Sequence, residues 1–292
     1  MFLKVTIFTP TYNRKNKLYR LYESLLKQTS REFIWLVVDD GSNDGTKELI
    51  EKFKLDKKIE IIYHFQENSG KHIAHNKGVE LCKTELFFCV DSDDYIIPNA
   101  IEFILKNASN LNSCIGIVAL RGYSINNVMG NYFKAGINRA TLSDLYNLYG
   151  KKGETALIFR TKYLKENYFI KFEGEKFLSE EILYNKLDNI GALYIINRVI
   201  YIMEYLEDGL TKNYKKLWKQ SPRGVLELLN SRYKKSREIK GVKKFYRCLR
   251  VILVLNSFCL NRKINIKENT PNKILSTLLI IPSYVVSYFK FK

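Results

Sequence analysis

The sequence predicts an α/β protein in which a mostly parallel sheet is flanked by helices and followed by a basic helical region. Over the first 120 residues, short apolar runs alternate with polar loops and amphipathic helical segments, an order typical of parallel strands joined by right-handed crossovers. The apolar runs are uninterrupted, as in strands covered on both faces. Lys and Arg number 28 against 27 Asp and Glu up to residue 209, and 20 against 3 beyond it.

Five strands are predicted in the first part of the chain, at 3–9, 33–38, 59–63, 86–90 and 114–120. A first helix places its apolar side chains from Leu18 to Leu26 on one face. Further helices are predicted after Thr46, over 72–82 and from Pro98, which suits the first turn of a helix. Past residue 125 the weaker pattern predicts helices at 141–149 and 179–189 and a strand near 193–202. We therefore expect a catalytic-size domain over 1–210 and a basic helical region over 211–292.

The cysteines and the amino terminus favour a cytoplasmic protein. The five cysteines form no CxxC pair and have no histidine at zinc-ligand spacing, so we expect free thiols in a reducing compartment. The apolar start reaches Pro10 too soon for a signal peptide and is interpreted as a buried first strand.

Polar loops follow the first four strands. They read TPTYNR (9–14), DDGSNDGT (39–46), QENSGKHIAHNKG (66–78) and DSDDY (91–95). Ligands of open α/β sheets bind outside the carboxyl ends of the strands, so we expect these four loops to meet at one rim and to form the site.

Asp91, Asp93 and Asp94 emerge together from the fourth strand. Unpaired, these carboxylates would repel one another and raise each other's pKa. Mg²⁺ or Mn²⁺ would relieve that repulsion and share substrate phosphates. The alternative is a helix cap with solvated acids ahead of Pro98.

Two other rim loops supply weaker signals. Asp39 and Asp40 end the second strand, where acids can accept hydrogen bonds from a base or a ribose, but Asp-rich turns are common in themselves. Lys71, His72, His75 and Lys77 could meet a phosphate or could be surface helix residues, and at most one helical face points at the site.

TPTYNR, VVDDGSNDGT, NSGKHIAHNKG and FFCVDSDDY, in this order and at these intervals, resemble the signature of family 2 glycosyltransferases with the GT-A fold. More loosely, FEGEKFLSEEILYNKL (172–187) and EYLEDGLTKN (204–213) resemble bacterial members that build capsule, lipopolysaccharide or exopolysaccharide. The resemblance implies a nucleotide-sugar donor, usually uridine-linked, and inversion at the sugar.

The resemblance also implies roles for individual residues. Thr9, Pro10, Tyr12 and Asp40 match positions that hold the nucleotide base, and Lys71 matches a contact to the nucleotide. Asp91 matches the first acid of the DxD motif, near ribose and metal, Asp93 matches the metal-binding acid, and Asp94 is expected to orient the sugar. The general base lies in a Glu-Asp pair in relatives; here that pair is Glu180-Glu181. We favour Glu181, with Glu180 close behind, although acids in a first helical turn also favour the helix dipole.

The basic region beyond residue 210 interleaves aromatic and aliphatic residues with Lys and Arg. Its stretch 274–289, ILSTLLIIPSYVVSYF, is very apolar but short for a span and contains Pro282. An in-plane membrane anchor is favoured; a solvated helical bundle and a nucleic-acid surface are the alternatives, and no nucleic-acid partner is expected. A polyprenyl-linked or other glycan acceptor would then be reached at the inner face of the cell membrane.

The predicted function is thus metal-dependent transfer of a hexosyl or N-acetylhexosaminyl group from a nucleotide donor to a surface glycan. A nucleotidyltransferase would also use paired Asp and Mg²⁺, but TPTYNR lacks the glycine-rich phosphate loop expected after its first strand. A non-catalytic sugar-nucleotide or membrane-binding module remains the alternative, and it would tolerate loss of Glu180 and Glu181.

Overall fold

The computed structural model describes residues 4–111, 113–204, 214–239 and 241–291 of the chain. It divides into two compact units, of which the first comprises residues 1–169 and 186–206 and the second 170–185 and 207–292. The division predicted at residue 210 lies outside the described residues, as does most of the stretch 204–213. The segment 170–185 groups with the C-terminal helices.

The first unit is built on one ten-stranded sheet. Its strands are β1 Val5–Thr11, β2 Phe33–Asp39, β3 Ile61–Phe65, β4 Leu86–Cys89, β5 Tyr95–Ile96, β6 Gly116–Ser124, β7 Asn127–Val128, β8 Arg139–Ala140, β9 Thr155–Arg160 and β10 Leu193–Ile202. Their order is β3-β2-β1-β4-β9-β6-β10-β5, with β7 beside β6 and β8 beside β10.

The sheet is parallel where the rim motifs occur and mixed elsewhere. β3, β2, β1 and β4 pair in parallel, as predicted. β9, which the sequence analysis missed, runs antiparallel between β4 and β6. The predicted fifth strand, β6, therefore keeps the direction of β4 without pairing with it.

Helices cover both faces of this sheet. They are α1 Lys15–Leu26, α2 Thr46–Leu55, α3 Lys71–Leu81, α4 Ala100–Ala108, α5 Leu142–Asn147 and α6 Thr161–Lys165, with a short 3₁₀ helix at Ser109–Leu111. On one face Tyr22 of α1 and Phe53 of α2 stack against each other, and both lie near the ring of Trp35 in β2. Phe8 points to the other face because side chains alternate along a strand. There a Cβ added to Gly78 of α3 would come within 2.4 Å of the Phe8 ring, so glycine lets α3 approach β1 closely.

The second unit is helical. α7 Glu181–Leu187 contains the boundary between the units, and the remaining helices are α8 Tyr214–Gln220, α9 Pro222–Glu238, α10 Val242–Arg262, α11 Ile266–Asn269, α12 Lys273–Leu278 and α13 Ile280–Phe291. Tyr233, Cys248 and Ile252 form a buried cluster covered by Leu275 and Leu279.

Polar side chains of α10 bind it to the last two helices. The Asn256 amide donates to the Ser276 carbonyl at 2.9 Å, and the Ser257 hydroxyl donates to the Ser283 carbonyl at 3.0 Å. Pro282 is the third residue of α13, where a missing N–H breaks no helical hydrogen bond. The predicted apolar stretch 274–289 is thus two short helices.

These two helices leave a row of apolar side chains exposed. We call it the α12–α13 apolar face; it consists of Ile274, Leu278, Ile281, Tyr284, Val285, Tyr288 and Phe289. Within the described ranges, no helix is long and apolar enough to cross a membrane. All five cysteines are free thiols.

Candidate functional site

The loops after β1, β2, β3 and β4 lie at one edge of the sheet, as predicted. Backbone hydrogen bonds continue past the strand ends: the Asp40 amide donates to the Thr11 carbonyl and the Val90 amide to the Phe8 carbonyl, both at 2.8 Å. The four rim loops are therefore held by the same ladder that forms the sheet.

Asp40 organises the loop between β3 and α3. One carboxylate oxygen accepts from the Gln66 side-chain amide at 2.7 Å and the Ser69 backbone amide at 2.9 Å. The other accepts from the Gly70 amide at 2.8 Å. Asp40 is buried, and leaving such buried N–H groups without acceptors would cost about 1–3 kcal/mol each. Asp40, which is expected to contact the nucleotide base, therefore also fixes the conformation of the loop between β3 and α3.

Like Asp40, Asp39 accepts hydrogen bonds that order the rim. Its carboxylate accepts from the Ser42 amide and the Tyr63 hydroxyl, both at 2.8 Å. Burial, together with this hydrogen bond to Asp39, raises the pKa of Tyr63. Gly41, at φ +90°, makes the turn, and a Cβ there would lie 2.8 Å from the backbone nitrogen of Asn68.

The first loop contains three of the residues expected to hold the nucleotide base, and these three differ in exposure. Thr9 is fully buried and its hydroxyl accepts from the Trp35 indole at 3.0 Å. Pro10 is buried as well. Tyr12 is half-exposed, so of these three residues it is the one whose side chain is open to a ligand.

The carboxylates after β4 each have a cationic or phenolic neighbour. Lys71 Nζ lies 2.7 Å from Asp91 Oδ1, and Arg14 Nη1 lies 3.3 Å from Asp93 Oδ2. Burial first and the charge of Asp91 second raise the pKa of Asp93. The structure thus brings Asp91, Asp93 and Lys71 together, as expected from the sequence. Of the other basic residues of α3, His72 and His75 pack edge-on against Phe169.

Asp94 is the most buried of the three. It accepts from the Tyr201 hydroxyl at 2.6 Å and from the Glu204 amide at 3.0 Å. Burial, followed by the charge of Asp91, raises its pKa to about 7. The hydrogen bond from Tyr201 opposes that shift.

A divalent cation fits the outer two carboxylates. No group of three or more His, Cys, Asp or Glu converges on a metal position among the residues described. Asp91 and Asp93 nevertheless supply hard oxygen ligands, and the charge of Asp91 adds to burial in raising the pKa of Asp93. Mg²⁺ usually takes one or two carboxylates and completes its shell with water and substrate phosphate, so the pair suits an ion that arrives with a diphosphate.

Five residues that surround this cluster from other elements were not predicted from the sequence: Arg14, Arg20, Arg121, Tyr201 and Glu204. Arg20 Nη2 donates to the Asp93 carbonyl and to the Glu204 carboxylate, both at 2.6 Å. Tyr201 and Glu204 lie over 100 residues from Asp94 along the chain, and no local pattern connects them. Arg121 carried a signal, because it is a charged residue in an apolar strand.

Glu180 and Glu181 belong to the second unit. Arg232 of α9 holds Glu181 through three hydrogen bonds, from Nε at 2.9 and 3.0 Å and from Nη2 at 2.6 Å. Glu180 accepts from the Tyr184 hydroxyl at 3.1 Å. The two acids therefore have different partners, an arginine and a phenol.

Comparison with known proteins identifies the family. Residues 6–169 match the family model described as glycosyl transferase family 2, which is more than half of the chain. The chain belongs to this family. The match includes all four rim loops and confirms the resemblance seen in the sequence.

Curated relatives of this family 2 chain are glycosyltransferases of bacteria. GlyA of Streptococcus pneumoniae serotype 4 is 25% identical over 229 residues, which cover 74% of this chain and 32% of GlyA. TarS of Staphylococcus aureus, a poly(ribitol-phosphate) β-N-acetylglucosaminyltransferase, is 28% identical over 170 residues, which cover 56% of this chain and 29% of TarS. The chain thus spans about a third of the length of these relatives.

Solved structures confirm the GT-A fold. TarS residues 1–349 in complex with UDP-GlcNAc superimposes with a TM-score of 0.62 at 19% identity, covering 98% of this chain and 91% of that one. The mannosyltransferase PcManGT of Pyrobaculum calidifontis, in complex with GDP-Man and Mn²⁺, gives a TM-score of 0.53 at 17% identity, covering 99% and 81%.

The raised pKa of Asp94 gives a pH dependence that can be measured. Its folded value of about 7 exceeds the ordinary 3.8, so between these values the folded protein keeps a proton that the unfolded chain releases. The stability contributed is full below the unfolded pKa and falls as pH rises through the folded pKa, on the order of 1.4 kcal/mol per pKa unit. We expect Asp94→Asn to flatten this fall in urea unfolding followed from about pH 5 to about pH 8 with EDTA.

Asp44→Asn is the matched control for this rim. Hydrogen bonds from Thr46 and Lys15 outweigh the effect of burial and lower the pKa of Asp44. Asp44 therefore changes the stability with pH only below the range of pH that is measured. An unchanged slope in Asp94→Asn would contradict the assignment.

Proposed function

We propose that the chain transfers a hexosyl or N-acetylhexosaminyl group, with inversion, from a nucleoside-diphosphate donor to a hydroxyl of a glycan or lipid-linked acceptor in bacterial surface-polysaccharide synthesis. The observation that carries the proposal is the carboxylate cluster Asp91, Asp93 and Asp94 at the end of β4 in a family 2 chain. A non-catalytic module that binds a sugar nucleotide or a membrane is the alternative.

A uridine donor is favoured. The related TarS fold was solved with UDP-GlcNAc and with UDP, whereas PcManGT holds GDP-Man. In the proposed complex the half-exposed Tyr12 contacts the base, with backbone of Thr9 and Pro10 beside it. Asp40, already engaged with Ser69 and Gly70, keeps the facing loop in place.

Asp91 and Asp93 are proposed to hold Mn²⁺ or Mg²⁺ with the donor diphosphate. When bound, the ion would neutralise charge developing on the departing nucleoside diphosphate. Lys71 and Arg14 pair with the same two carboxylates. With the two carboxylates engaged by a cation, Lys71 and Arg14 would be available to the diphosphate oxygens. Asp94 is proposed to orient the sugar.

The acceptor proton is proposed to go to the Glu180-Glu181 pair. As the acceptor oxygen attacks C1, the bond from C1 to the diphosphate oxygen breaks and its electron pair leaves with the diphosphate, while one carboxylate takes the hydroxyl proton. We assign this base to Glu181, with Glu180 as the second choice. Arg232 would then fix the orientation of the Glu181 carboxylate.

The second unit is proposed to associate with the inner face of the cell membrane. The α12–α13 apolar face is exposed, and the sequence beyond residue 209 has 20 basic against 3 acidic residues. Apolar burial and attraction to anionic lipid act together in such peripheral binding. It would bring the enzyme to a polyprenyl-linked acceptor.

Nucleotide binding tests the donor site first. We expect UDP with Mn²⁺ to raise the thermal midpoint of the wild type, since a ligand at about 100 times its Kd adds about 2.7 kcal/mol of stability. GDP, CMP and dTDP serve as comparison nucleotides. Asp93→Ala should abolish the manganese-dependent part of the rise, and Asp144→Ala, which removes an exposed acid of the same unit, should keep it. A folded wild type with no response to any nucleotide would count against the transferase proposal.

Separate replacement of the two glutamates tests the base. We expect Glu181→Gln to lower kcat for UDP release from a UDP-sugar by about 100-fold or more, because general base catalysis typically contributes that factor, and to leave UDP binding intact. Glu180→Gln should have the smaller effect. Glu238→Gln, at another ion-paired glutamate of the second unit, is the control. Turnover equal to wild type in both variants would favour the binding module, and a larger loss in Glu180→Gln would move the base to Glu180.

Vesicle binding tests the membrane proposal. We expect the full chain to sediment with vesicles of phosphatidylglycerol in preference to phosphatidylcholine. Replacing Ile281 and Phe289 together by Gln should weaken that binding by about tenfold or more because it removes exposed apolar area. Leu55→Gln, at an equally exposed leucine of the first unit, should not. Equal sedimentation of all three proteins would refute a role for the α12–α13 apolar face.

A further inference from the structure

Arg121, in β6, is a largely buried cation near the carboxylate cluster, with 16% of its side chain exposed. Its guanidinium carbon lies 4.1 Å from the ring centroid of Tyr201. Its Nη1 donates to Glu154 at 2.9 Å, but the Glu154 side chain is 58% exposed, and such solvated pairs contribute little. Nε of Arg121 is buried without an acceptor among the described residues. The Tyr201 ring is therefore the buried partner of this guanidinium.

Tyr201 connects Arg121 to the carboxylate turn. Its ring is fully buried. Its hydroxyl donates to the Asp94 carboxylate at 2.6 Å and accepts from the Asp91 amide at 3.1 Å. One phenol oxygen thus fixes both ends of the turn in which Asp93 lies.

Charge keeps Arg121 in place despite its burial. Burial by itself lowers the pKa of the guanidinium, but Tyr201, Asp91 and Glu154 raise it, and the net shift is upward. The group therefore stays ionised. A desolvated cation over an aromatic face is attracted more strongly than an exposed one, so the Arg121–Tyr201 stack is a firm contact.

We propose that Arg121 is a positioning residue of the donor site: by stacking on Tyr201 it holds the hydroxyl that fixes the Asp91–Asp94 turn, and so sets the separation of the two carboxylates proposed to hold the divalent cation. This inference rests on the proposed function. It predicts that loss of the stack weakens cation binding at a site that Arg121 does not itself touch.

Arg160 provides a matched control. It lies on β9 and pairs with Glu85, which is 48% exposed, and its Nε is likewise buried without an acceptor in the described part of the chain. It lies beside Leu86, the first residue of β4, at the opposite end of that strand from Asp91. Arg160→Lys should therefore carry a similar structural cost without reaching the carboxylate turn.

The experiment measures Mn²⁺ affinity by electron paramagnetic resonance of free Mn²⁺ in the presence of UDP, with thermal midpoints recorded in parallel. Lysine keeps the charge of Arg121 but loses the planar stack. We expect Arg121→Lys to raise the Kd for Mn²⁺ by about tenfold, because the lysine ammonium cannot stack flat on the Tyr201 ring. Tyr201→Phe should raise it similarly, because it removes the hydroxyl and keeps the ring. Arg160→Lys should leave the Kd unchanged.

Each outcome decides the inference. Weaker Mn²⁺ binding in Arg121→Lys and Tyr201→Phe but not in Arg160→Lys supports it. Equal Mn²⁺ binding in the wild type and both donor-site variants refutes the positioning role and leaves the proposed function standing. An equal loss of Mn²⁺ affinity in Arg121→Lys and Arg160→Lys that follows the fall in their thermal midpoints refutes the positioning role, because the loss is then a general effect of lower stability. If Arg121→Lys does not fold, Arg121→Met carries the same decision, because it keeps an apolar stem in β6 and removes the cation over the Tyr201 ring. No Mn²⁺ binding by the wild type with any nucleotide refutes the proposed function itself.

Discussion

The rim at the carboxyl ends of β1 to β4 depends on keeping three carboxylates together at the end of one buried strand. Their repulsion is met by partners from three separate elements: Lys71 at the start of α3, Arg14 after β1, and Tyr201 in β10. The sheet order makes this possible. β1 lies beside β4, and β5, which directly follows Asp94, pairs with β10. The arrangement of charges therefore depends on the fold, because the three acids can stay close only where α3, the β1 loop and β10 meet.

The half of the site made by local motifs could be predicted from the sequence. Parallel strands place their carboxyl ends at one edge, so the strand and loop order sufficed to bring Asp40, Lys71 and Asp91 to one rim. Tyr201 could not be found in this way. Its position depends on β10 pairing with β5 and with β6, and the second pairing contains register shifts between Ile196 and Tyr201. The alternation of polar and apolar residues predicts which face of the sheet a side chain lies on. It predicts neither the neighbouring strand nor register shifts of this kind.

Asp40 shows why a resemblance that assigns a ligand-binding role to a residue does not describe the structural role of its side chain. In the structure its two oxygens accept three hydrogen bonds, two of them from backbone amides of the β3–α3 loop. A loop cannot be buried unless its N–H groups find acceptors. Asp40 therefore orders the rim before any ligand binds, and this role is compatible with the proposed contact to the nucleotide base because a carboxylate oxygen accepts more than one hydrogen bond.

The same need for charge and hydrogen-bond partners applies to the acidic and basic residues of the second unit. Three acids beyond residue 209 cannot neutralise twenty basic residues. Segment 170–185 contains four acids, and two of them pair with arginines of α9. Glu175 pairs with Arg223 and also accepts from the Gly224 amide, and Glu181 pairs with Arg232. This accounts for the grouping of that segment with the C-terminal helices. A large positive excess still remains in the unit that exposes the α12–α13 apolar face. Apolar area accompanied by unneutralised positive charge complements an anionic lipid surface better than a neutral protein partner.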